Sequence, residues 1–599
     1  MNKLTKYIIS SFLWLLAFVA IFLYFELKNK YLFSFIEQNQ LFLFDWDYVL
    51  EKISKPAGVS VILKEFILQF FNLNHFGALA CSLLLIIVGI STQTIVKKIN
   101  PKSMDVLLWA LPMITQLPLI INFDYQINGL LSYIVMQLLF IIYIYYFYKN
   151  VYKLIFLSVS SIIFFWLFGA ASFYFVISVF IYELFNNIKQ SIYFSLPIIL
   201  VFILARLSVY DYYLISNLSL ALTPEEYYNR LLKPGIEIYF SWLSFPIIII
   251  LSSIFSKHYT NSLIKRLLNQ AFQICLILCI SFYMFKKEEY YTKDDTRKFL
   301  KYDYYLRYKQ WDNIISESKN GVSNYLLNYA QNIALIEKDI FPEKAFFYTQ
   351  KGIESITIDW SDNNPFIFPL ISDMYFAVGN VSIAQEVAFK KMSESIAVNN
   401  SLNPRMLKRL IETNIIYGGN TGYSVANKYI NILKTTLYYK KWAQEKEIYL
   451  FNDEAVNKDS IFGALRLNLK NIDILYSINN NSIQLKEMSC SAFSKKSLDY
   501  YCMGYLLNTD LDGFYKIVST CYGEDILKRL PQSYQEALLI YGAQNKTDLS
   551  RYNISEQTRK RFLMFQDFAA KNFNRKDLAA IMKKSYNNTY WYYFMFIKN

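Results

Sequence analysis

Long apolar runs without charge occur only in the first half of this 599-residue chain, and they restrict its fold more than any other feature. A run of about 20 apolar residues is long enough to cross the hydrocarbon core of a bilayer as a helix. After about Phe285 the runs stop, and Lys, Glu and Asp become frequent. The sequence therefore predicts a polytopic membrane domain followed by a water-soluble helical domain.

Nine segments of the first half have the length and composition of a membrane span. They are residues 7–26, 76–95, 104–121, 128–148, 152–168, 170–186, 191–208, 236–255 and 268–285. The fifth and sixth come from one apolar run that is too long for a single helix, and we expect it to fold back at Gly169. A single helix there would place the second half of the chain in the cytoplasm.

Lysine and arginine mark alternate loops between these segments. The basic set is Lys3, Lys6, Lys97, Lys98, Lys102, Lys149, Lys153, Lys189, Lys257, Lys265 and Arg266. Because cytoplasmic loops are enriched in Lys and Arg, the N-terminus is predicted to be cytoplasmic. Nine spans then place everything after Lys286 outside the cytoplasm. No small-residue cleavage site follows the first span, so we expect an uncleaved anchor rather than a signal peptide.

The sequence argues against several classes of function. Its two histidines, His75 and His258, fall on opposite sides of the membrane in the predicted topology. A catalytic triad or a multi-histidine metal site is hard to build from one histidine on each side. No Gly-rich phosphate-binding loop or hydrolase motif occurs. The net charge of +14 is expected to face anionic lipid rather than nucleic acid, because no compact basic block with interleaved aromatic residues is present.

The fold class predicted for the whole chain is all-α. Residues 1–286 are predicted to form the transmembrane domain, with large extracytoplasmic loops at 28–74 and 208–235. Residues 287–440 are predicted to form TPR-like helical repeats, because Gly379 and Gly418 separate helical segments in which the small residues Ala384 and Ala426 allow close packing. Residues 441–599 are predicted to form further helices without this regularity.

Three of the six cysteines, Cys490, Cys502 and Cys521, lie in the second half. Three is an odd number, so at most one disulfide can form there and one thiol stays free. The spacing does not decide which two residues pair, and no CxxC motif indicates a zinc site.

The first large loop combines acidic residues with an amphipathic segment. Glu37, Asp45 and Asp47 precede a turn at residues 55–58, and the segment 59–71 places apolar side chains on one helical face. This pattern predicts a helix that lies on the bilayer surface.

Several segments resemble an uncharacterised family of integral membrane proteins from Bacteroidota that is known only as a domain of unknown function. They are residues 37–42, 56–58, 65–71, 410–416, 440–443 and 589–593. The family pattern has two glycines after the proline, where this chain has Ala57 and Gly58. The resemblance implies the inner membrane of a diderm bacterium, with the C-terminal domain in the periplasm, but no activity.

The order of first span, large loop, further spans and helical domain also resembles the layout of GT-C-type glycosyltransferases. Those enzymes use polyprenyl-phosphate-linked sugars and place a catalytic carboxylate in the first loop. The resemblance implies Glu37, Asp45 and Asp47 as candidate catalytic residues, since a carboxylate there can deprotonate an acceptor hydroxyl. Asp45 and Asp47 would share one face of an extended segment, and they are also the candidate ligands of a divalent cation, Mg²⁺ or Mn²⁺.

Cations at the same membrane face are candidates for holding the lipid phosphate. Arg206 ends an apolar run and must find water, a phosphate or a carboxylate. The candidate phosphate or substrate ligands are Arg206, Arg230, Lys233, His75 and Gln69. Each has a plainer interpretation: Arg206 as an anchor at the membrane surface, His75 as an interfacial residue, and the loop acids as solvated side chains.

Two functions follow from these observations. The first is a GT-C-type enzyme that transfers a sugar or related group from a polyprenyl-phosphate-linked donor to a periplasmic protein or glycan. The alternative is a non-enzymatic, membrane-anchored scaffold whose TPR-like domain recruits cell-envelope proteins. Transport has less support, because the span centres contain Gln116 and Gln137 but no ionisable relay. Membrane lipids are expected partners in either case, and nucleic acid is not.

Overall fold

The computed structural model describes residues 3–101, 108–123, 125, 127–225, 234–257, 263–358, 367–399, 401–469, 490 and 493–597. Every regular element in these ranges is helical, which confirms the all-α prediction. The chain forms two compact units. The membrane unit comprises Met1–Arg297, Ser395–Leu402 and Thr435–Tyr438, and the second unit comprises Lys298–Glu394, Asn403–Lys434 and Tyr439–Asn599. The first unit thus extends past the boundary predicted at residue 286.

The helices of the membrane unit follow one another with short connections. They are α1 (Lys3–Lys28), α2 (Lys30–Glu37), α3 (Trp46–Ile53), α4 (Gly58–Leu68), α5 (Phe76–Ile99), α6 (Leu111–Ile120), α7 (Asn128–Tyr146), α8 (Asn150–Phe168), α9 (Ala171–Asn186), α10 (Ile188–Ser191), α11 (Leu196–Tyr210), α12 (Leu218–Ala221), α13 (Ile236–Lys257) and α14 (Leu263–Tyr291). Of these, α5, α7 and α13 are more than half buried in their apolar stretch, whereas α1 is almost wholly exposed. An exposed apolar helix is expected of a segment that faces lipid.

Six helices in the described ranges are long and apolar enough to cross a membrane: Ile8–Lys28, Phe76–Ile99, Asn128–Tyr146, Asn150–Phe168, Ile188–Tyr210 and Ile236–Lys257. Each covers one predicted span. The predicted spans at 104–121 and 170–186 correspond to the shorter apolar helices Leu108–Ile120 and Ala171–Asn186. The ninth, 268–285, lies within α14. The chain is therefore a membrane protein by its helices, and the total of nine spans stays a prediction.

The fold-back expected at Gly169 is present. Helix α8 ends at Phe168, Gly169 has a φ of +63° and α9 begins at Ala171. The hydroxyl of Ser172 donates to the carbonyl oxygen of Ser161 at 2.7 Å. The Phe164 and Phe175 rings lie 6.0 Å apart. Residues 11 apart in one continuous helix would lie about 16 Å from each other, so these two contacts show that α8 and α9 fold back on one another at Gly169.

The amphipathic helix expected at 59–71 forms as α4 and a following 3₁₀ turn, Gln69–Asn72, but its faces are arranged differently. Lys64 and Glu65 are each 1% exposed, whereas Leu63 and Phe66 are nearly 40% exposed. Lys64 and Glu65 thus face the protein together with Val61 and Leu68, whereas Leu63 and Phe66 face outward. On α3, by contrast, Trp46 and Leu50 lie exposed one turn apart, which suits a helix at the bilayer surface.

The turn before α4 is closely packed. Ala57 adopts the left-handed conformation with φ of +65°. Its amide donates to the Trp166 carbonyl at 2.9 Å. A Cβ on Gly58 would lie 2.0 Å from the carbonyl oxygen of Lys52. Glycine is the residue that both positions favour, which gives a physical reason for two glycines after a proline here.

From Asp294 onward the helices are shorter. They are α15 (Asp294–Arg307), α16 (Trp311–Glu317), α17 (Tyr325–Glu337), α18 (Phe341–Lys344), α19 (Ile367–Ala377), α20 (Val381–Asn399), α21 (Pro404–Tyr417), α22 (Gly419–Lys434), α23 (Lys440–Lys446), α24 (Asp453–Lys458), α25 (Phe462–Leu469), α26 (Lys495–Leu507), α27 (Leu511–Cys521), α28 (Gln532–Asn545), α29 (Glu556–Lys571), α30 (Leu578–Tyr586) and α31 (Tyr590–Phe596).

Helix breaks stand where the sequence predicted them in the second unit. Gly379, with φ of +90°, separates α19 from α20, and Gly418, with φ of +67°, separates α21 from α22. Ala384 and Ala426 are fully buried, as close packing requires. Cys490 and Cys521 form the single disulfide that the cysteine count allowed, and Cys502 is a buried free thiol.

Candidate functional site

The first loop of the membrane unit buries an unusual number of polar side chains. Each of the following is at most 9% exposed: Glu37, Gln38, Gln40, Lys52, Lys64 and Glu65. We call this set the first-loop cluster. Two of the six are lysines and two are glutamates, so the buried charges balance. Taking charges out of water costs several kcal/mol each unless they are paired, so a cluster of this kind needs an explanation.

One part of the cluster joins α3 to α4. The Tyr48 hydroxyl donates a short hydrogen bond to Oε2 of Glu65. Lys52 Nζ lies 3.6 Å from Oε1 of the same carboxylate and 5.5 Å from the centre of the Tyr48 ring. Burial and the neighbouring Glu65 carboxylate raise the pKa of Tyr48 well above its usual range, so the phenol stays a proton donor.

The other part lies at the end of α2. Gln38 Nε2 donates to Oε2 of Glu37 at 2.5 Å. Glu37 is also close enough to Tyr438 to raise the pKa of that phenol, an effect to which burial contributes most. The Tyr438 ring packs against Phe70, in the turn that follows α4, with 6.1 Å between ring centres. Glu37 and the end of α4 therefore share Tyr438 as a neighbour.

An extended segment after α2 connects the two parts. The Phe42 ring contacts Tyr48 on α3 and Phe66 on α4, with ring centres 5.7 and 5.4 Å apart. The backbone amide of Leu41 donates to the hydroxyl of Ser401 at 3.1 Å. The amide of Phe44 donates to the carbonyl oxygen of Thr435 at 2.8 Å. These bonds fix the segment that carries Gln40 beside both short segments from the second half of the chain that belong to this unit.

Two hydrogen-bond acceptors in the cluster have no described donor. Oε1 of Gln40 and Oε1 of Glu65 are buried, and neither accepts a hydrogen bond from any residue that the structure describes. Lys52 at 3.6 Å is too far from Glu65 to donate one. A buried acceptor without a donor costs about 1–3 kcal/mol, so these oxygens are suited to a ligand that brings donors.

Asp45 and Asp47 do not belong to this cluster. Both are exposed, and Asp45 lies at the N-cap of α3 while Asp47 lies in its first turn. The prediction that they share one face requires an extended segment, and it is wrong because α3 begins between them. Of the three predicted catalytic carboxylates, only Glu37 is buried among other functional groups.

The expectation of a metal site at Asp45 and Asp47 finds no further ligands. Among the described residues, no group of three or more His, Cys, Asp or Glu side chains is placed to hold a metal ion. Two exposed carboxylates on one helical turn are a weak ligand set for Mg²⁺ or Mn²⁺.

The predicted phosphate and substrate ligands are dispersed. The exposed His75 pairs with Glu26 through Nδ1 at 2.8 Å. Gln69 donates to the carbonyl oxygen of Phe66 at 3.0 Å and so caps the end of α4. Arg206 is exposed and stacks over Tyr210, 5.9 Å from the ring centre, which matches its interpretation as a surface anchor. Arg230 and Lys233 lie outside the described residues.

Sequence reasoning missed the cations that the fold buries, Lys52 and Lys64. Neither was named as a candidate site residue, because an amphipathic pattern does not show which face points inward. Lys64 and Glu65 interrupt an otherwise apolar helix, and that interruption was the available signal. The buried carboxyl of Glu225 in the second large loop was missed as well.

A comparison with protein families assigns the chain to one family. A family of unknown function, DUF6057, matches residues 5–597. The chain belongs to the DUF6057 family. Two of the segments that carry the sequence resemblance, 37–42 and 65–71, contain Glu37, Gln38, Gln40 and Glu65 of the first-loop cluster in this DUF6057 protein.

No curated protein matches this DUF6057 chain, and no solved structure does. The chemistry of the cluster therefore follows only from the properties of its own residues.

Proposed function

We propose that this DUF6057 protein is a GT-C-type membrane enzyme that transfers a sugar or related group from a polyprenyl-phosphate-linked donor. The observation that carries the proposal is the first-loop cluster, in which a carboxylate, two lysines and open acceptors are buried between two membrane spans. A lipid-linked donor presents its phosphate and sugar at the membrane surface. Buried cations, hydrogen-bonding groups and a carboxylate are the functional groups that such a headgroup requires.

The roles follow from the chemistry of each side chain. Lys52 and Lys64 are proposed to hold the phosphate oxygens, and Gln40 accepts hydrogen bonds from sugar hydroxyls. The Glu37 carboxylate removes the proton of the acceptor hydroxyl. The acceptor oxygen bonds to the anomeric carbon of the sugar, the bond from that carbon to the phosphate oxygen breaks, and polyprenyl phosphate leaves with the electron pair. Arg230 and Lys233 stay as proposed further phosphate ligands from the sequence.

The reaction is proposed to occur on the periplasmic face of the inner membrane. The Cys490–Cys521 disulfide supports this side, because disulfides persist in oxidising compartments and are rare in the cytoplasm. The hairpin at Gly169 supports an odd number of spans, which with a cytoplasmic N-terminus puts the second half outside. The proposed layout has nine spans followed by a TPR-like periplasmic domain that holds the protein or glycan acceptor.

The test compares the cluster carboxylate with its exposed counterparts. We expect Glu37→Gln to lower transfer by at least about 100-fold, since general base catalysis contributes about that much. The measurement is the pool of lipid-linked sugars and the glycan composition of the envelope, in cells that carry each variant at equal protein level. Asp45→Asn and Asp47→Asn are the matched controls, because their carboxylates face solvent, and they should change neither. Equal pools for wild type and Glu37→Gln would contradict the enzyme.

The helical hairpins α19–α20 and α21–α22 favour a second candidate, a membrane-anchored scaffold. Stacked hairpins present a surface suited to extended peptides. A scaffold predicts unchanged sugar pools in every first-loop variant, together with loss of envelope-protein association when the second unit is removed. The same set of strains separates the two functions.

A further inference from the structure

Another buried carboxyl of the membrane unit belongs to the second large loop rather than to the first-loop cluster. Glu225 is in the loop between α12 and α13, and one oxygen of its side chain, Oε1, accepts two hydrogen bonds. The Trp242 indole donates at 2.9 Å and the Tyr125 hydroxyl at 3.0 Å. These donors come from α13 and from the segment just before α7, so the carboxyl joins two neighbouring elements of the unit.

The other oxygen has a different environment. Oε2 is buried and accepts no hydrogen bond from the residues that the structure describes. Both donors are used on Oε1, so the arrangement is one-sided. An ionised carboxylate in the interior needs a donor on its second oxygen or a cation that offsets its charge, whereas a protonated carboxyl carries its own O–H. Oε2 is therefore the oxygen that is open to a cationic donor when Glu225 is ionised.

The carboxyl packs closely against α7. A Cβ on Gly129, in the first turn of α7, would lie 2.3 Å from the Cδ atom of Glu225. A larger residue at this position would therefore have to push the Glu225 side chain aside. Glu225 also has a φ of +68°, a conformation that non-glycine residues adopt at a cost of about 1–2 kcal/mol. Local strain of this kind is common at binding sites, where it helps to orient a side chain.

Aromatic rings surround the carboxyl. The Trp242 ring packs against Tyr133 and Tyr174, with ring centres 5.3 and 5.2 Å apart. Tyr125 completes the set by its hydrogen bond. A carboxylate beside Trp and Tyr rings is the composition that recognises organic ammonium ions, because the rings and the carboxylate both attract positive charge.

We infer that Glu225, with Trp242 and Tyr125, forms a binding site for a primary ammonium group at the membrane surface. The ammonium donates to Oε2 and offsets the charge of the carboxylate. Glu225 directly abuts the first turn of one candidate span and bonds to another, so it lies near the level of lipid headgroups. Burial raises the pKa of the free carboxyl to about 8, which agrees with a site that ionises when a cation arrives. This inference does not depend on sugar transfer.

Two sources can supply the ammonium: the headgroup of phosphatidylethanolamine, or free ethanolamine in the periplasm. The experiment uses the full-length protein in nanodiscs of phosphatidylcholine. Phosphatidylethanolamine is added to one set, phosphatidylglycerol to a second and free ethanolamine to a third. Retained lipid is measured by mass spectrometry, and the thermal midpoint is measured in each.

We expect at least about tenfold preference of the wild type for an ammonium ligand over phosphatidylglycerol, since a charge-assisted bond contributes about 1.5–3 kcal/mol. Glu225→Gln should abolish the preference while keeping the fold, because the amide oxygen can still accept from Trp242 and Tyr125. Glu51→Gln, at an exposed carboxylate of α3, is the matched control. A response to phosphatidylethanolamine alone identifies the lipid, and a response to ethanolamine in lipid without amine identifies the free amine.

Two outcomes would overturn the inference. One is equal retention of phosphatidylglycerol, which carries donors but no cation. The other is an ammonium preference that survives Glu225→Gln. Should that variant fail to fold, Tyr125→Phe keeps the carboxyl and removes one of the two bonds that orient it. We expect this variant to lower the ammonium preference by about threefold or more, and an undiminished preference with an intact fold would also overturn the inference.

Discussion

Arg405 of the second unit lies between two carboxylates, whereas Lys52 of the membrane unit lies 3.6 Å from the carboxylate of Glu65. The Arg405 guanidinium donates to Asp303 and to Asp373. Arg409 adds a bond to Asp373 at 3.0 Å and lies over the Phe376 ring, 3.6 Å from its centre. The two arginines hold the pKa of Asp373 below its usual range despite burial. In the first-loop cluster, by comparison, Lys52 is 3.6 Å from Glu65, and Oε1 of that carboxylate has no described donor.

The difference separates a structural cluster from a binding one. Arginines and aspartates in α15, α19 and α21 connect three helices. All four carboxylate oxygens of Asp303 and Asp373 accept from an arginine, although Nε of Arg409 has no described acceptor. The first-loop cluster is balanced in charge but incomplete in hydrogen bonds. A stable fold alone is served better by the first arrangement, so the second is the one expected to accept a ligand.

The largest effect on stability is expected in the arginine–aspartate network of the second unit. Arg405→Met leaves Asp303 and Asp373 buried with half of their donors, and breaking a buried ion pair costs about 3–5 kcal/mol. We expect loss of cooperative unfolding of the second unit, or a large drop in its denaturation midpoint followed by circular dichroism. Lys458→Ala, in an exposed pair with Glu454, should change stability by less than about 1 kcal/mol. Similar midpoints for both variants would show that the Arg405 network stabilises the second unit no more than an exposed ion pair does.

Replacing the Lys52–Glu65 pair of the first loop should change stability less. Replacing both partners, Lys52→Met with Glu65→Met, is expected to lower stability by about 2 kcal/mol or less, because it removes both charges and leaves only the Tyr48 hydroxyl without its acceptor. Lys52→Met alone should be the more damaging, since it leaves Glu65 buried without its cation. Thermal midpoints in detergent measure both variants. A double variant as unstable as the single one would show that the pair is structural.

Two buried carboxyls of the second unit predict a dependence on pH. Burial raises the pKa of Asp499 to about 7, against an opposing hydrogen bond from Tyr534, and burial likewise raises that of Glu536 to about 7. A raised pKa means that the folded state holds the proton more tightly than the unfolded chain. Their stabilisation is therefore complete at about pH 4 and is lost as the pH rises through 7. The thermal midpoint should fall by a few degrees from pH 5 to pH 8, and by less in Asp499→Asn. An equal fall in both would exclude Asp499 as a cause.

The smallest effect is expected at the turn before α4. Ala57→Gly should stabilise the membrane unit by up to about 1 kcal/mol, because the left-handed conformation costs alanine more than glycine. Gly58→Ala should destabilise it, since the new Cβ would meet the Lys52 carbonyl. The two thermal midpoints, shifted in opposite directions, test whether this turn positions Lys52. A lower midpoint for Ala57→Gly would contradict the strain argument.

Much of the fold was predictable from local pattern. Apolar length identified the six helices that are long enough to cross a membrane, and Gly169, Gly379 and Gly418 marked real helix breaks because a positive φ is hard for other residues. The cysteine count limited the second half to at most one disulfide. It did not select Cys490 and Cys521, since pairing depends on which helices the fold brings together.

The candidate site was predictable only in part. Glu37 was predicted because enzymes with a similar layout place a catalytic carboxylate in the first loop. Asp45 and Asp47 were predicted to share one face of an extended segment, but a helix begins between them. Lys52 and Lys64 were missed, and so was Glu225. Hydrophobic periodicity shows that a helix has two faces and gives their spacing. It does not say whether the polar face meets water or other buried charge.

The sequence by itself determined that the first half belongs in a membrane, that the chain is helical, and where several helices end. These properties depend on contiguous residues: the length of an apolar run, or the conformations open to one glycine. Tertiary structure decided that α4 turns Lys64 and Glu65 inward, that Tyr438 lies beside Glu37, and that Trp242 and Tyr125 leave one oxygen of Glu225 open. Burial and hydrogen bonding join residues far apart in the chain, so only the packed fold could assign them.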